Sequence, residues 1–145
     1  MEPISKTSPD VRSYLKFIAI LLLLLNGIGA FIGGIPMVMH PDGSANGIDL
    51  KYLEHSPFND FLIPGIILVL CIGVLSIVVC IWLYFDLRHH SWWVMGEGII
   101  LTVWIQVQMV MLREVNILHI IFGLIGLALI FLGRRIGLAN DGAVI

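Results

Sequence analysis

Two stretches of this sequence, Phe17 to Met39 and Phe61 to Phe85, contain no Asp, Glu, Lys, Arg or His. Two more come close: Trp92 to Leu112 is interrupted only by Glu97, and Val115 to Gly133 only by His119. A helix needs about 20 apolar residues to cross a hydrocarbon core about 30 Å thick. In lipid every backbone N–H and C=O must find an internal partner, so such a segment is a helix or a strand of a closed barrel. Barrel strands alternate in polarity, and segments such as Ile20–Leu25 and Ile66–Leu70 do not. The pattern predicts an all-α antiparallel four-helix transmembrane bundle, one domain over residues 1–145, with spans of about 15–37, 61–85, 92–112 and 115–133. An extracytoplasmic loop then covers 38–60.

Composition supports the same solvent. The chain is 59% hydrophobic and 12% charged, whereas soluble domains carry about 25% charged residues. That balance argues against a soluble globule and against a disordered chain. A formal net charge of −2 offers no basic field for nucleic acid.

Orientation follows from Lys and Arg. Lys6, Arg12 and Lys16 precede the first span, Arg88 lies between the second and third, and Arg134 and Arg135 follow the fourth. With an even number of spans these six share one side, against Lys51 and Arg113 on the other, so both termini are expected to be cytoplasmic. Tyr14, Tyr84, Trp92 and Trp93 fall where an interfacial aromatic belt would lie. The first span is longer than a signal-peptide core and lacks an A-x-A ending, so it reads as an uncleaved helix. The outer loop is acidic, with Asp42, Asp49, Glu54 and Asp60 against Lys51, and residues 49–54 are expected to form a short interfacial helix. A two-residue link, Arg113-Glu114, makes the third and fourth spans antiparallel neighbours, and the Gly-containing tail 136–145 is expected to be loose.

Helices in lipid associate through small residues and a few polar contacts. Gly29 and Gly33, overlapped by Ala30 and Gly34, form one such seam; Gly123, Gly126 and Gly133 share a face of the fourth span with His119. Both seams are expected to pack within the bundle, with contact to a second copy as the alternative. Intramembrane polar groups are the default functional candidates. Glu97 shares a helix face with Leu101, Trp104 and Gln108, while Gln106 points away. Asn26 lies near the middle of the first span, and Gln108 and His119 fall at similar depth near the outer side. Two readings stay open for these residues. One is structural: interhelical hydrogen bonds, an ion pair of Glu97 with Arg88 or Lys16, a polar cap under the hairpin. The other makes them a ligand or proton site, with Gln108 and His119 flooring an outward-facing pocket.

The remaining motifs carry little chemistry. His89-His90 are adjacent and splay apart, and no C-x-x-C-H or H-E-x-x-H pattern supports a metal or haem. Cys71 and Cys80 lie on opposite sides of one helix, too far apart for a disulfide. No phosphate loop, dinucleotide fingerprint or nucleophile elbow is present, so no cofactor is expected and no catalytic residue stands out.

Four short spans, a Gly-rich end to the first, a polar outer connection and a second span opening Phe61-Leu-Ile-Pro-Gly65 occur together. With Ser56-Pro57-Phe58, Ile63-Pro64-Gly65 and Trp104-Ile105-x-Val107-Gln108, this layout resembles the DoxX-like membrane proteins and neighbouring small bacterial four-helix families. The resemblance implies a multi-pass protein of the bacterial inner membrane. Some DoxX-like proteins are linked to quinone-coupled sulfur oxidation or oxidative-stress complexes, so it also implies a quinone-linked redox subunit as one function. The residues themselves point to a small non-enzymatic membrane protein. It would be an accessory or assembly subunit, or a binder of an apolar small molecule such as a lipid or quinone, partnered by the bilayer and by another membrane protein or a second copy. A further alternative is a small oligomeric transporter or channel built around the Glu97 face.

Overall fold

The computed structural model describes residues 9–141; Lys6 and residues 142–145 of the tail lie outside them. Four long helices make up the fold: α1 Pro9–Met39, α2 Leu62–Tyr84, α3 His90–Leu112 and α4 Ile117–Asp141. Each is long and apolar enough to cross a membrane. No strand occurs among the described residues.

Local chemistry sets the helix ends. Asp60 Oδ1 accepts from the Leu62 N–H at 3.0 Å, and Pro64 sits in the first turn of α2, where a missing N–H costs little. Asn116 caps α4, its Oδ1 accepting from the N–H groups of Leu118 at 2.9 Å and His119 at 3.2 Å. That cap corrects the expected two-residue link: the α3–α4 connection is Arg113–Asn116, and Arg113 leaves α3 with φ 49°. The expectation of a loose tail also fails over residues 136–141, which continue α4. Ile136 is fully buried in the core and holds that last stretch against the bundle. In the α1–α2 loop the expected helix over 49–54 is a single 3-10 turn, Leu50–Leu53, started by Asp49, whose side chain accepts from the Lys51 N–H. Leu53 folds in onto Phe61 and Met111, capping that end of the bundle.

α2 is not uniform. It is α-helical over Leu62–Ile67, π-wound over Leu68–Val74, and α-helical again over Leu75–Tyr84. A π stretch closes i→i+5 bonds, so it shifts the phase of everything that follows it.

The helices pack in cyclic order α1–α2–α3–α4, neighbours antiparallel. α3 and α4 approach most closely. A Cβ on Gly98 would lie 2.6 Å from the Gly126 carbonyl oxygen, and one on Gly133 2.7 Å from the Met95 nitrogen. α1 and α2 meet at Gly34 and Gly65, where an added Cβ would lie 2.7 Å from Val69 Cγ2 and 2.8 Å from Met37 Cβ respectively. Gly29 packs under Phe122, 2.7 Å from its Cζ by the same measure. Gly33 and Gly123 have more room, their nearest neighbours being Leu68 at 3.4 Å and Ile105 at 3.9 Å.

Two apolar clusters fill the interior. One, toward the end that carries both chain termini, includes Leu23, Val79, Leu83, Val94 and Leu129; the other is built on Ala30, Ile72, Leu101, Trp104 and Ile105. Large apolar side chains such as Phe17, Ile28, Ile32, Val110 and Leu124 cover the outside. Water disfavours so much exposed apolar surface, and lipid does not.

Candidate functional site

Between the two apolar clusters lies a polar layer. Asn26 sits one turn beyond Leu23, Ser76 one turn beyond Ile72, and Glu97 one turn before Leu101. All three are buried, at 1%, 0% and 1% exposure. The Ser76 hydroxyl donates to Glu97 Oε1 at 2.7 Å. Asn26 Nδ2 donates to Ser76 Oγ at 2.8 Å and to Glu97 Oε1 at 3.3 Å. With Glu97 ionised, Ser76 gives its one proton to that carboxylate, its oxygen accepts, and the donor is the Asn26 NH2. Asn26 Oδ1 is thereby turned away and has no partner, and neither does Glu97 Oε2.

A cavity of about 360 Å³ begins at Asn26 and runs to the end of the bundle that carries the 40–61 loop. That volume falls within the usual range for small-molecule sites, about 300–1,000 Å³. On the α1 side Gly29, Ala30 and Gly33 line it; Gly33 has room for a side chain, whereas Gly29 is covered by Phe122. Leu101, Trp104, Ile105 and Gln108 of α3 face them, Phe122 and His119 come from α4, and Leu68 and Ile72 from the π-wound part of α2. The mouth is formed by Asn46 and Ile48 of the α1–α2 loop with Leu112 and Asn116. Asn46 ties that loop down, its Nδ2 donating to the Gly33 carbonyl at 3.0 Å. Trp104, 8% exposed, has no partner for its indole Nε1.

The structure thus brings Asn26, Trp104, Gln108 and His119 to one cavity, together with Gly29 and Gly33. Glu97 lies outside its lining, hydrogen-bonded to Asn26. Gly126 serves the α3–α4 seam instead, and Gly123 faces Ile105 loosely. His119 is buried and its Nδ1 accepts from the Asn116 N–H at 3.2 Å, locking it into the α4 cap. The expected ion pair of Glu97 with Lys16 or Arg88 is replaced by the Ser76 and Asn26 contacts. Lys16 pairs elsewhere, with Asp86 at 2.6 Å.

Two residues that sequence reasoning passed over matter here. Ser76 was one serine among several, and only its registry opposite Glu97 gives it a role. Asp86, in the α2–α3 connection at φ 52°, accepts from Arg12 at 3.0 Å and Lys16 at 2.6 Å, with His90 Nε2 at 3.7 Å. Partial burial works against its ionised form, but the Lys16 hydrogen bond and the charges of Lys16, Arg12 and His90 outweigh that and hold its carboxyl below the ordinary range. A run of basic residues before the first span, with one acid just past the second, was the available signal.

Among the described residues no three His, Cys, Asp or Glu side chains gather as a metal site. Comparison with protein families, with curated proteins and with solved structures finds no match. The fold and the cavity therefore carry the functional argument alone: a four-helix chain of membrane-spanning character, hollow in one half and polar at the base of the hollow.

Proposed function

We propose that this chain is a small multi-pass protein of a bacterial inner membrane, both termini cytoplasmic, that holds one lipophilic small molecule between α1, α3 and α4. The ligand class is a lipid or a quinone-type compound, and the role is that of an accessory or assembly subunit. One observation carries the reading: a cavity of about 360 Å³ runs from Asn26 to the α3–α4 link, walled mostly by apolar side chains such as Leu101, Trp104, Ile105 and Phe122, with Gln108, His119 and Asn116 among them. A mostly apolar hollow with a few polar groups is the usual form of a small-molecule site. The burial of Glu97 inside a single bundle argues against a pore assembled from that face of several copies.

The test is extraction in mild detergent followed by native mass spectrometry of what stays bound. The wild-type chain is expected to retain a lipophile. Gly33→Leu, which places a side chain in the cavity, is expected to lose it while keeping the thermal midpoint of the wild type within a few degrees. A wild-type chain that retains nothing, or a Gly33→Leu chain that retains just as much, overturns the proposal.

A further inference from the structure

A second hollow, of about 370 Å³, opens between the start of α3 and the last turns of α4. Ser91, Trp92 and Met95 line it from α3, and Gly133, Arg134 and Gly137 from α4. The glycines let the two helices close here: a Cβ on Gly133 would lie 2.8 Å from the Ser91 carbonyl oxygen, and one on Gly137 3.3 Å from Ser91 Oγ. Ser91 is 8% exposed, and its hydroxyl has no hydrogen-bond partner among the described residues. That oxygen keeps accessible surface and opens on the hollow. Arg134 has no ion pair or hydrogen bond among the described residues either, whereas Arg12 and Lys16 are held by Asp86 and Arg135 lies 5.1 Å from the Phe131 ring. Neighbours three apart on a helix have Cβ positions about 5–6 Å apart, so Arg134 Cβ lies within about 9 Å of Ser91 Oγ by way of Gly137. An arginine side chain and one phosphate together span that gap.

We propose that this crevice holds the head group of an acidic phospholipid. The phosphate accepts from Ser91 Oγ and from the Arg134 guanidinium, and an acyl chain runs past Met95 into the membrane. The proposal rests on reading the four helices as spans and is independent of the cavity between α1, α3 and α4. Depth supports it. The crevice lies at the bundle end that carries both chain termini, beside Trp92, which is 67% exposed and placed as a residue of the interfacial belt is. Charge supports it too. A guanidinium matches a phosphate with paired N–H bonds, and the first turn of α3 adds the positive end of a helix dipole. α4 runs on to Asp141, so its own negative end lies beyond the crevice. Neither Asp nor Glu lines the hollow, so the ammonium of a zwitterionic head would find no carboxylate there, while the net negative charge of an acidic head is matched by Arg134. In the orientation proposed above the crevice opens to the cytoplasmic leaflet, where basic pockets between membrane helices hold acidic head groups.

The test is native mass spectrometry of the full chain in detergent micelles, titrated with phosphatidylglycerol and phosphatidylethanolamine of identical acyl chains. Wild type is expected to favour phosphatidylglycerol about tenfold, the value of one charge-assisted hydrogen bond. Arg134→Gln is expected to bring that preference below about twofold, and Ser91→Ala to weaken phosphatidylglycerol binding about threefold. Arg135→Gln removes the same charge one residue away, outside the lining, and is expected to keep the wild-type preference. Glycerol 3-phosphate, which offers the phosphate without the tails, is expected not to displace the lipid. Equal binding of the two lipids by wild type overturns the proposal, and so does a preference that Arg134→Gln retains. An Arg135→Gln chain that loses as much as Arg134→Gln reduces the effect to diffuse charge and also overturns it. Displacement by glycerol 3-phosphate makes the crevice a site for a soluble phosphate and overturns the lipid assignment. Gly33→Leu, which fills the other cavity, is expected to leave the preference unchanged; its loss in that variant would move the lipid to that cavity and overturn this site alone.

Discussion

At the scale of single residues, the carboxylate of Glu97 decides how the polar layer holds. Its Oε1 is the common acceptor for Ser76 and Asn26. Glu97→Leu leaves the buried Ser76 hydroxyl without its acceptor, at a cost of about 1–3 kcal/mol, while Asn26 keeps its 2.8 Å bond to Ser76 Oγ. Glu97→Gln keeps the oxygen and the shape. Thermal unfolding in detergent should therefore rank wild type and Glu97→Gln close together and Glu97→Leu well below. A leucine variant as stable as wild type would show that the layer contributes nothing to folding. Asp86 gives a prediction in pH. Its folded-state value is depressed below 3.8, so the stability it adds is full above the unfolded value and disappears as pH falls through the lowered one. Its side chain is 48% exposed, so solvent and salt screen the effect, which should stay within about 1 kcal/mol. Asp86→Asn should flatten the acid limb of the stability profile at low salt and change little in high salt. The sequence exposed part of this scale. Asn26 and Glu97 are conspicuous because polar groups are costly in lipid, but nothing local says they meet. Ser76 is cheap to place in any helix, so its role shows only once three helices are registered.

At the scale of elements, four spans were readable because the bilayer sets one length for all of them. The departures have separate physical causes. Asn116 starts α4 two residues later than hydropathy suggests, since capping rather than apolarity sets a helix start. Ile136 keeps the end of α4 packed although glycines surround it in sequence. The π stretch Leu68–Val74 has no signature in an all-apolar segment, yet it sets the phase in which Ser76 turns inward. The helix seams were only half legible, because a glycine face shows that close approach is open to the chain and not where it happens. Gly98 and Gly123 separate the two cases. A Cβ at Gly98 would meet backbone at 2.6 Å, and one at Gly123 meets nothing nearer than 3.9 Å. Gly98→Ala should push α3 from α4 and cost about 1–3 kcal/mol. Gly123→Ala should be neutral, or stabilising by up to about 1 kcal/mol through helix propensity. Thermal midpoints of the two variants in the same detergent check this, and a reversed order would mean the α3–α4 seam lies elsewhere.

At the scale of the whole molecule, charge and topology say the same thing by different routes. Antiparallel neighbours bring the start of α1, the α2–α3 connection and the end of α4 to one end of the bundle. That end holds Arg12, Lys16, Arg88, Arg134 and Arg135, while the other holds Lys51 and Arg113. Asp86 joins it together, pairing with Arg12 and Lys16 of α1 from the far end of α2. These ion pairs neutralise only part of the basic excess, and the rule that orients membrane proteins counts Lys and Arg while giving acids little weight. The proposed orientation therefore survives the pairing. A fluorescent protein that matures only in the cytoplasm should light up when fused to either terminus. A phosphatase active only outside should stay silent at both ends and become active when inserted after Gly47, an open turn in the outer loop where no atom stands within 4 Å of an added Cβ. Opposite results at the two termini would require an odd number of crossings. The cavity would then no longer lie between four helices, and its mouth, formed by the outer loop and the α3–α4 link, would not sit on one side of the membrane.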